Sequence, residues 1–331
     1  MKVAVTGAAG FLGLNVVNAL LEEGHDVLAI DRVPGSPASG AHGRGQLRWE
    51  SADVLDEEAM VRALDGIEIV YHLVAVISLR RVDPLAWRVN TEGVATVARA
   101  ALRVGARRMV NCGSLASFHY TRNATVNEES PRSTSDKALV YHRSKYFGEV
   151  ELLKVVDAGL DALTCNPTGI FGPADHPGRL SRMNQSLLDS SLGKMPAGVS
   201  GEFDMVDVRD VAQGFMLAAE KGRTGHNYLL GGHRYGLTPS LRLAAEMAGA
   251  RGPRFMLPVK LLETVAPMVD PISRRFGSES FAPAAMENIS MAPIVDRTKA
   301  GVELGYEPRS TEESIRDLVD FFTAEGLLTA K

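Results

Sequence analysis

Tyr141 and Lys145 stand four residues apart in Tyr141-His-Arg-Ser-Lys145. On an α-helix that spacing puts both side chains on one face, one turn apart. An ammonium beside a phenol stabilises the phenolate and lowers its pKa toward working pH. Tyr141 is then placed to give or take a proton at a carbonyl or an alcohol. Ser114 follows the apolar run Arg108–Cys112 in Asn111-Cys-Gly-Ser114, where its hydroxyl can hold a substrate oxygen. Taken alone, the Tyr–Lys pair fits a solvated helix face and the Ser fits a turn. The elements that carry them decide between these readings.

The second feature is Thr6-Gly-Ala-Ala-Gly-Phe-Leu-Gly13, which directly follows the strand-like run Lys2-Val3-Ala4-Val5. Gly7 permits a tight bend, Gly10 lets the backbone approach a phosphate closely, and Gly13 lets helix and strand pack. The helix that starts at Phe11 offers free N–H groups and a positive dipole end to an anion. Gly7, Ala9, Gly10, Phe11, Leu12 and Gly13 are therefore expected to hold a pyrophosphate. Asp31 ends the second strand about twenty residues on, where a carboxylate accepts from the adenosine ribose diol.

These residues need a frame, and the chain supplies one. Strands are expected at Val3–Thr6, Asp26–Asp31, Leu47–Glu50, Ile67–Leu73, Arg108–Cys112 and Ala162–Asn166. Helices are expected from Phe11 to about Glu23, from an Asp56 cap through Leu64, from Pro84 to Val104 and from Val140 to Ala158. The stretch from Pro34 to Gln46, rich in Gly, Ser and Pro, reads as a loop. This alternation implies an α/β fold, a Rossmann doubly wound parallel sheet. Ligands bind such a sheet beyond the C-terminal ends of its strands, which places Ser114 near the nicotinamide end of a dinucleotide. Residues 1–166 form the dinucleotide-binding domain, with 207–222 returning to pack on it. After Pro167 the pattern loosens, with helices at about Leu180–Leu192, Val208–Lys221 and Pro239–Ala248. Residues 167–331 form a smaller, mainly substrate-binding portion.

The 331 residues are 45% hydrophobic and 23% charged, with a net charge of −4. There is no basic footprint, so nucleic acid is not an expected partner. Cys112 and Cys165 lie in apolar strand-like runs and read as buried thiols in a reducing, cytoplasmic setting. The apolar run after Lys2 is broken by the glycine turn and does not make a signal peptide. The longest candidate span, Phe255 to Ile272, contains Lys260, Glu263 and Asp270, so no membrane span is expected. No residue cluster suggests a metal.

The chain resembles the extended short-chain dehydrogenase/reductase family, the NAD-dependent epimerase/dehydratase superfamily, over essentially its whole length. The motifs are Gly7/Gly10/Gly13, Asp53-Val54, His72-Leu-Val-Ala75, Asn90, Ser114, Tyr141 and Lys145. They continue through Asn166-Pro-Thr-Gly-Ile-Phe-Gly-Pro173, Val206-Asp-Val-Arg-Asp-Val-Ala212 and Asp296-Arg-Thr-Lys-Ala300 with Leu304-Gly-Tyr306. The resemblance implies that Ser114, Tyr141 and Lys145 are the catalytic set, with Lys145 also binding the nicotinamide ribose. It implies that Asp53 and Val54 contact the adenine and that Leu73, Val74 and Ala75 flank the cofactor. Asn90 and Cys112 belong to the same site, and Pro167, Gly169 and Ile170 pass the nicotinamide. It also implies a homodimer built on the helices at about 84–104 and 140–158. Val94, Val97, Ala101, Val150 and Leu153 are available for that interface, and they could equally face the sheet.

Sugar-nucleotide epimerases and dehydratases of this family use an Arg shortly before the Val-Asp motif to grip a diphosphate. Here Glu202 or Phe203 stands in that place, and neither can hold a diphosphate. The dehydratases' acidic pair is absent too, since Leu139 and Val140 precede Tyr141. The resemblance is greater to the dihydroflavonol-reductase-like branch, which reduces ketones and aldehydes. Met256, Met268, Met286 and Met291 suit an adaptable apolar pocket, although any one of them could be ordinary core. Asp31 would repel a 2′-phosphate and favours NAD. Arg32, with Arg44 and Arg48 within reach, keeps NADP as the alternative. The reading is an NAD(P)-dependent oxidoreductase acting on an apolar small-molecule carbonyl or alcohol substrate. An epimerase/dehydratase and a non-catalytic dinucleotide sensor are the rivals.

Overall fold

The computed structural model describes residues 1–33, 44–259 and 292–328. Most of the Pro34–Gln46 loop, residues beyond 259 of the Phe255–Ile272 run, and Met268, Met286 and Met291 lie outside the described residues. Seven strands form the main sheet: β1 (Lys2–Thr6), β2 (Asp26–Asp31), β3 (Leu47–Ser51), β4 (Ile69–His72), β5 (Arg108–Cys112), β7 (Ala162–Pro167) and β11 (Asn227–Leu230). Their spatial order is β11-β7-β5-β4-β1-β2-β3, and every neighbouring pair is parallel. The winding reverses between β1 and β4. That reversal opens a crevice beyond the strand ends, where doubly wound sheets take ligands.

Central strands buried on both faces need continuous apolar runs, and Val3, Ala4 and Val5 are wholly buried, as are Ala29 and Ile30. One face is covered by α1 (Phe11–Glu22) and α6 (Val208–Lys221), through Val16, Leu20, Val211 and Phe215. The other is covered by α2 (Glu57–Ala63), α3 (Pro84–Arg103) and α4 (Val140–Asp157), through Met60, Val97 and Leu152. Asp56 caps α2 by accepting from Ala59 N, and Asp83 caps α3 by accepting from Ala86 N, with Pro84 at its first turn.

Helices α3 and α4 lie side by side. Gly148 allows this, because a Cβ there would sit 2.1 Å from the Asn90 carbonyl oxygen. Val94, Val97 and Ala101 are 3%, 0% and 0% exposed and are spent on this core, so they are not a dimer face. Val150 and Leu153 are half-buried.

The sequence reading returned only α6 to the sheet. Strand β11 also returns and forms its edge beside β7. Its Asn227–Leu230 run is only four residues long and lies about sixty residues beyond the strand it pairs with, so its place at the sheet edge is set by tertiary packing rather than by a local pattern. Helix α8 (Thr298–Leu304) packs behind it, with Ala300, Leu304 and Tyr306 in the same core as β1 and α1.

The rest of the C-terminal portion has its own small sheet. Strand β10 (Glu202–Asp207) pairs parallel with β8 (Gly169–Phe171) and antiparallel with β12 (His233–Gly236). Its core joins Phe171, Leu187, Leu241, Ile315 and Phe322 from β8, α5 (Arg182–Ser191), α7 (Leu237–Met247) and α9 (Thr311–Ala324). Short paired strands complete it: β9 (Ala197–Val199) with β13 (Phe255–Leu257), and β6 (Thr125–Val126) with β14 (Ile294–Val295). Met256 is 55% exposed on β13. Among the described residues no helix is long and apolar enough to cross a membrane, and Cys112 and Cys165 are buried free thiols.

Candidate active site

The glycine turn joins β1 to α1. Gly7 has φ +76°, and a Cβ there would meet the Val74 backbone at 3.0 Å. A Cβ on Gly13 would lie 2.1 Å from the Gly7 carbonyl oxygen, so only glycine lets the helix start this close to the strand. Gly10 differs. Its added Cβ would meet only the Gly7 oxygen, and as N-cap it gives α1 no side-chain cap. The first N–H groups of α1 therefore remain available to an anion.

Beside this turn is a cavity of about 230 Å³, lined by Gly7, Gly10, Asp31, Arg32, Asp53, Val54, Leu73, Val74 and Ala75. Residues from the ends of four strands thus converge on one crevice. The donor set suits a dinucleotide: free amides at the helix start, a carboxylate at the end of β2, and apolar walls for a base. The Asp31 carboxylate is also tied into the backbone. It accepts from Ala9 N at 3.1 Å and from Arg32 N at 2.7 Å.

Arg44 and Arg48 do not reach this cavity. Arg48 lines a different recess with Lys2, Asp26 and Ile67 at the strand beginnings, and Arg44 lies beside Gly24 past the C-terminal end of α1. The two arginines flank the start of β3, whereas the crevice opens at its end.

Asn90 is 1% exposed on α3. Its Oδ1 accepts from Val76 N at 2.8 Å, and its Nδ2 donates to Val76 O at 3.0 Å and to Ser144 Oγ at 2.9 Å. Its amide is thus occupied by protein partners. It braces the crevice wall at Val76, and its amide is spent on that and on Ser144.

Tyr141 occupies the first turn of α4 and Lys145 the next. Lys145 is 5% exposed, and its Nζ donates to the Cys112 carbonyl oxygen at 2.7 Å. Half-buried Tyr141 faces the Ser114 hydroxyl, which acts to lower its pKa. Ser114 Oγ also accepts from Ala116 N at 3.2 Å and so caps the short turn Leu115–Ser117. The three residues are thus gathered at the end of β5.

The electrostatics differ from the sequence expectation. Burial pushes the Tyr141 phenol up to about 12, and the facing Ser114 hydroxyl only partly offsets this. Burial also lowers the Lys145 pKa. An ammonium one turn away does not outweigh desolvation here, and its nearest partner is a main-chain carbonyl. His72 is buried beside them, accepts or donates at Thr6 Oγ1 over 2.7 Å, and is driven down to about 3 by burial and then by Lys145. It is neutral.

Several residues behind the site were not singled out from sequence. Asn166 Oδ1 accepts from Ser114 N at 2.9 Å, and Asn166 Nδ2 donates to Asn227 Oδ1 at 2.7 Å. Asn227 Nδ2 donates in turn to Glu149, which also accepts from Arg132 Nη2 at 2.7 Å. Glu149 follows Tyr141 by eight residues on the same helix, and that spacing was the available signal. Asn166 directly precedes Pro167. His176 donates to the Ala9 carbonyl from a loop with no recognisable pattern. On β10, Phe203 pairs across the strands with Tyr235, while Glu202 holds Arg234 at 2.7 Å. Arg234 also donates to Asn123.

The family model for the NAD dependent epimerase/dehydratase family matches residues 3–231. The chain belongs to this family. The matched span runs from β1 to just past β11 and takes in the whole main sheet. A relative named sterol demethylase protein B, from Methylococcus capsulatus, is 32% identical over 99% of this chain and 100% of its own. A putative dihydroflavonol 4-reductase from Synechocystis sp. is 29% identical over 97% of this chain and 94% of its own. The crystal structure of gox2253 superposes with a TM-score of 0.82 at 30% identity, covering 99% of each chain. The family's cofactor, NAD, matches the donor set of the crevice.

Proposed function

We propose that this family member is an NAD-dependent oxidoreductase that interconverts a ketone or aldehyde with its alcohol at Ser114, Tyr141 and Lys145. The observation that carries the reading is Lys145 fixed to the Cys112 carbonyl at the end of β5, with the Tyr141 phenol one helical turn away facing the Ser114 hydroxyl. Bound dinucleotide supplies or accepts the hydride. The protein's residues do the rest. The glycine turn and the start of α1 hold the pyrophosphate, and Asp31 takes the adenosine ribose. Asp53, Val54, Leu73, Val74 and Ala75 enclose the adenosine half. Pro167, Gly169 and Ile170 line the nicotinamide side, and Lys145 reaches its ribose.

In the reducing direction Tyr141 gives its phenolic proton to the carbonyl oxygen while Ser114 donates a hydrogen bond to that oxygen. A phenol held near 12 is fully protonated at neutral pH, which suits a proton donor. The relatives named for sterol and dihydroflavonol chemistry support a bulky apolar carbonyl compound. Sugar-nucleotide epimerisation is disfavoured. Glu202 or Phe203 stands where those enzymes carry a diphosphate-gripping arginine, and the nearby Arg234 is already engaged by Glu202 and Asn123.

The test is oxidation of NADH and NADPH by purified protein with sterol ketones, aromatic ketones, aldehydes and UDP-sugars, with Tyr141→Phe as control. Carbonyl-dependent oxidation that disappears in Tyr141→Phe supports the proposal. Isomerised UDP-sugar with no net oxidation refutes it.

A further inference from the structure

We propose that His176 is a positioning residue for the dinucleotide, acting as a latch from the C-terminal portion onto the pyrophosphate-binding turn. This rests on the reading that the glycine turn holds the dinucleotide. His176 Nε2 lies 2.7 Å from the Ala9 carbonyl oxygen. A carbonyl only accepts, so Nε2 carries the hydrogen and donates it.

The Ala9–Gly10 peptide is the unit whose orientation decides where the next amides point. Its N–H donates to Gly7 O at 3.0 Å, and His176 takes its other end. The preceding peptide is held by Ala9 N donating to Asp31 Oδ2 at 3.1 Å. With both peptides fixed, the free N–H groups at the start of α1 stay aimed at the anion. Without His176 the Ala9 carbonyl loses its hydrogen-bond partner among the described residues, and the turn can rotate about Gly10.

The latch is built, not incidental. Asn15 Nδ2 on α1 donates to the Ala174 carbonyl at 3.1 Å, and Ala174 sits at φ +57°, a left-handed conformation that alanine rarely adopts. Asp175 holds the next turn. Its Oδ1 accepts from His176 N at 2.8 Å, and its Oδ2 accepts from Ser181 N at 2.6 Å and from Asn184 Nδ2 at 2.8 Å. Asn184 is fully buried on α5. A strained loop, anchored on the substrate portion, therefore presents one imidazole to the dinucleotide turn.

The experiment is equilibrium titration of NADH and of ADP-ribose into wild-type protein, His176→Ala and His176→Gln, followed by ligand or protein fluorescence and calorimetry. His176→Ala is expected to weaken both ligands by about 3- to 10-fold, the range one hydrogen bond accounts for. Both should weaken equally, because both carry the pyrophosphate and only one carries nicotinamide. The Gln amide can donate from a similar distance and is expected to recover most of the loss. Ligand-free melting temperature is expected to stay within a degree or so of wild type, since His176 is only half-buried. Unchanged affinity in His176→Ala overturns the latch alone, and so does a loss confined to NADH. Failure of wild-type protein to bind either ligand overturns the dinucleotide reading and the latch with it.

Discussion

Lys145 donates to the main-chain carbonyl of Cys112 at 2.7 Å, which ties the second turn of α4 to the end of β5. The contact fixes the distance between the helix that carries Tyr141 and the strand that leads to Ser114. Burial pushes the Tyr141 phenol up to about 12, while the ammonium one turn away is engaged by that carbonyl.

The phenol's position predicts opposite pH behaviour for the two reaction directions. Carbonyl reduction needs protonated Tyr141, which predominates at every pH below about 12. Its rate should be flat between about pH 6 and 10. Alcohol oxidation needs the phenolate, whose fraction rises about tenfold per pH unit below the pKa. Initial rates in both directions, measured across that range under saturating dinucleotide, check this. A plateau in the oxidation limb near neutral pH would show that the ammonium governs the phenol after all.

Asn90→Ala is expected to lower both stability and activity. It strips partners from Val76 N, Val76 O and Ser144 in a buried setting. Leaving such groups unpaired costs about 1–3 kcal/mol. The same change frees the crevice wall at Val76, so affinity for NADH should fall as well. Denaturant unfolding and NADH titration read the two effects separately.

Arg132→Met should be more damaging than Glu149→Gln. Glu149 is 5% exposed and Arg132 16% exposed, and burial already pushes the Glu149 carboxyl up. Removing the arginine strands a buried acid, at a cost of about 3–5 kcal/mol. A glutamine keeps an acceptor for Asn227 and Arg132 and retains the network through Asn166 to Ser114. Urea midpoints of the two variants give the ranking.

Much of the dinucleotide side was legible because local rules govern it. The strand-turn-helix around Gly7, the caps at Asp56 and Asp83, and the i, i+4 spacing of Tyr141 and Lys145 depend on a few adjacent residues each. What stayed hidden depends on tertiary placement. The pairing of Asn227 with Thr164 beside the main sheet, and the ion pair of Arg234 with Glu202, join residues far apart in sequence. No periodicity encodes them. The phenol's environment is hidden for a related reason: spacing puts an ammonium nearby, but only the packed structure shows how deeply Lys145 is buried.

Asp31→Asn tests the cofactor preference. The Asp31 carboxylate faces the crevice, and among the three arginines that the sequence left as candidates only Arg32 lines it, since Arg48 lies at the strand beginnings and Arg44 beyond α1. Wild-type protein should therefore favour NADH over NADPH. An asparagine removes the charge that repels a 2′-phosphate. It also turns one oxygen into a donor, so either the Ala9 or the Arg32 amide loses its acceptor. NADH affinity should drop about tenfold, and the preference over NADPH should narrow by about the same factor. Titrating both dinucleotides into both proteins separates the outcomes. If the ratio does not move, Asp31 acts only as a brace for the glycine turn, and the ribose is held elsewhere.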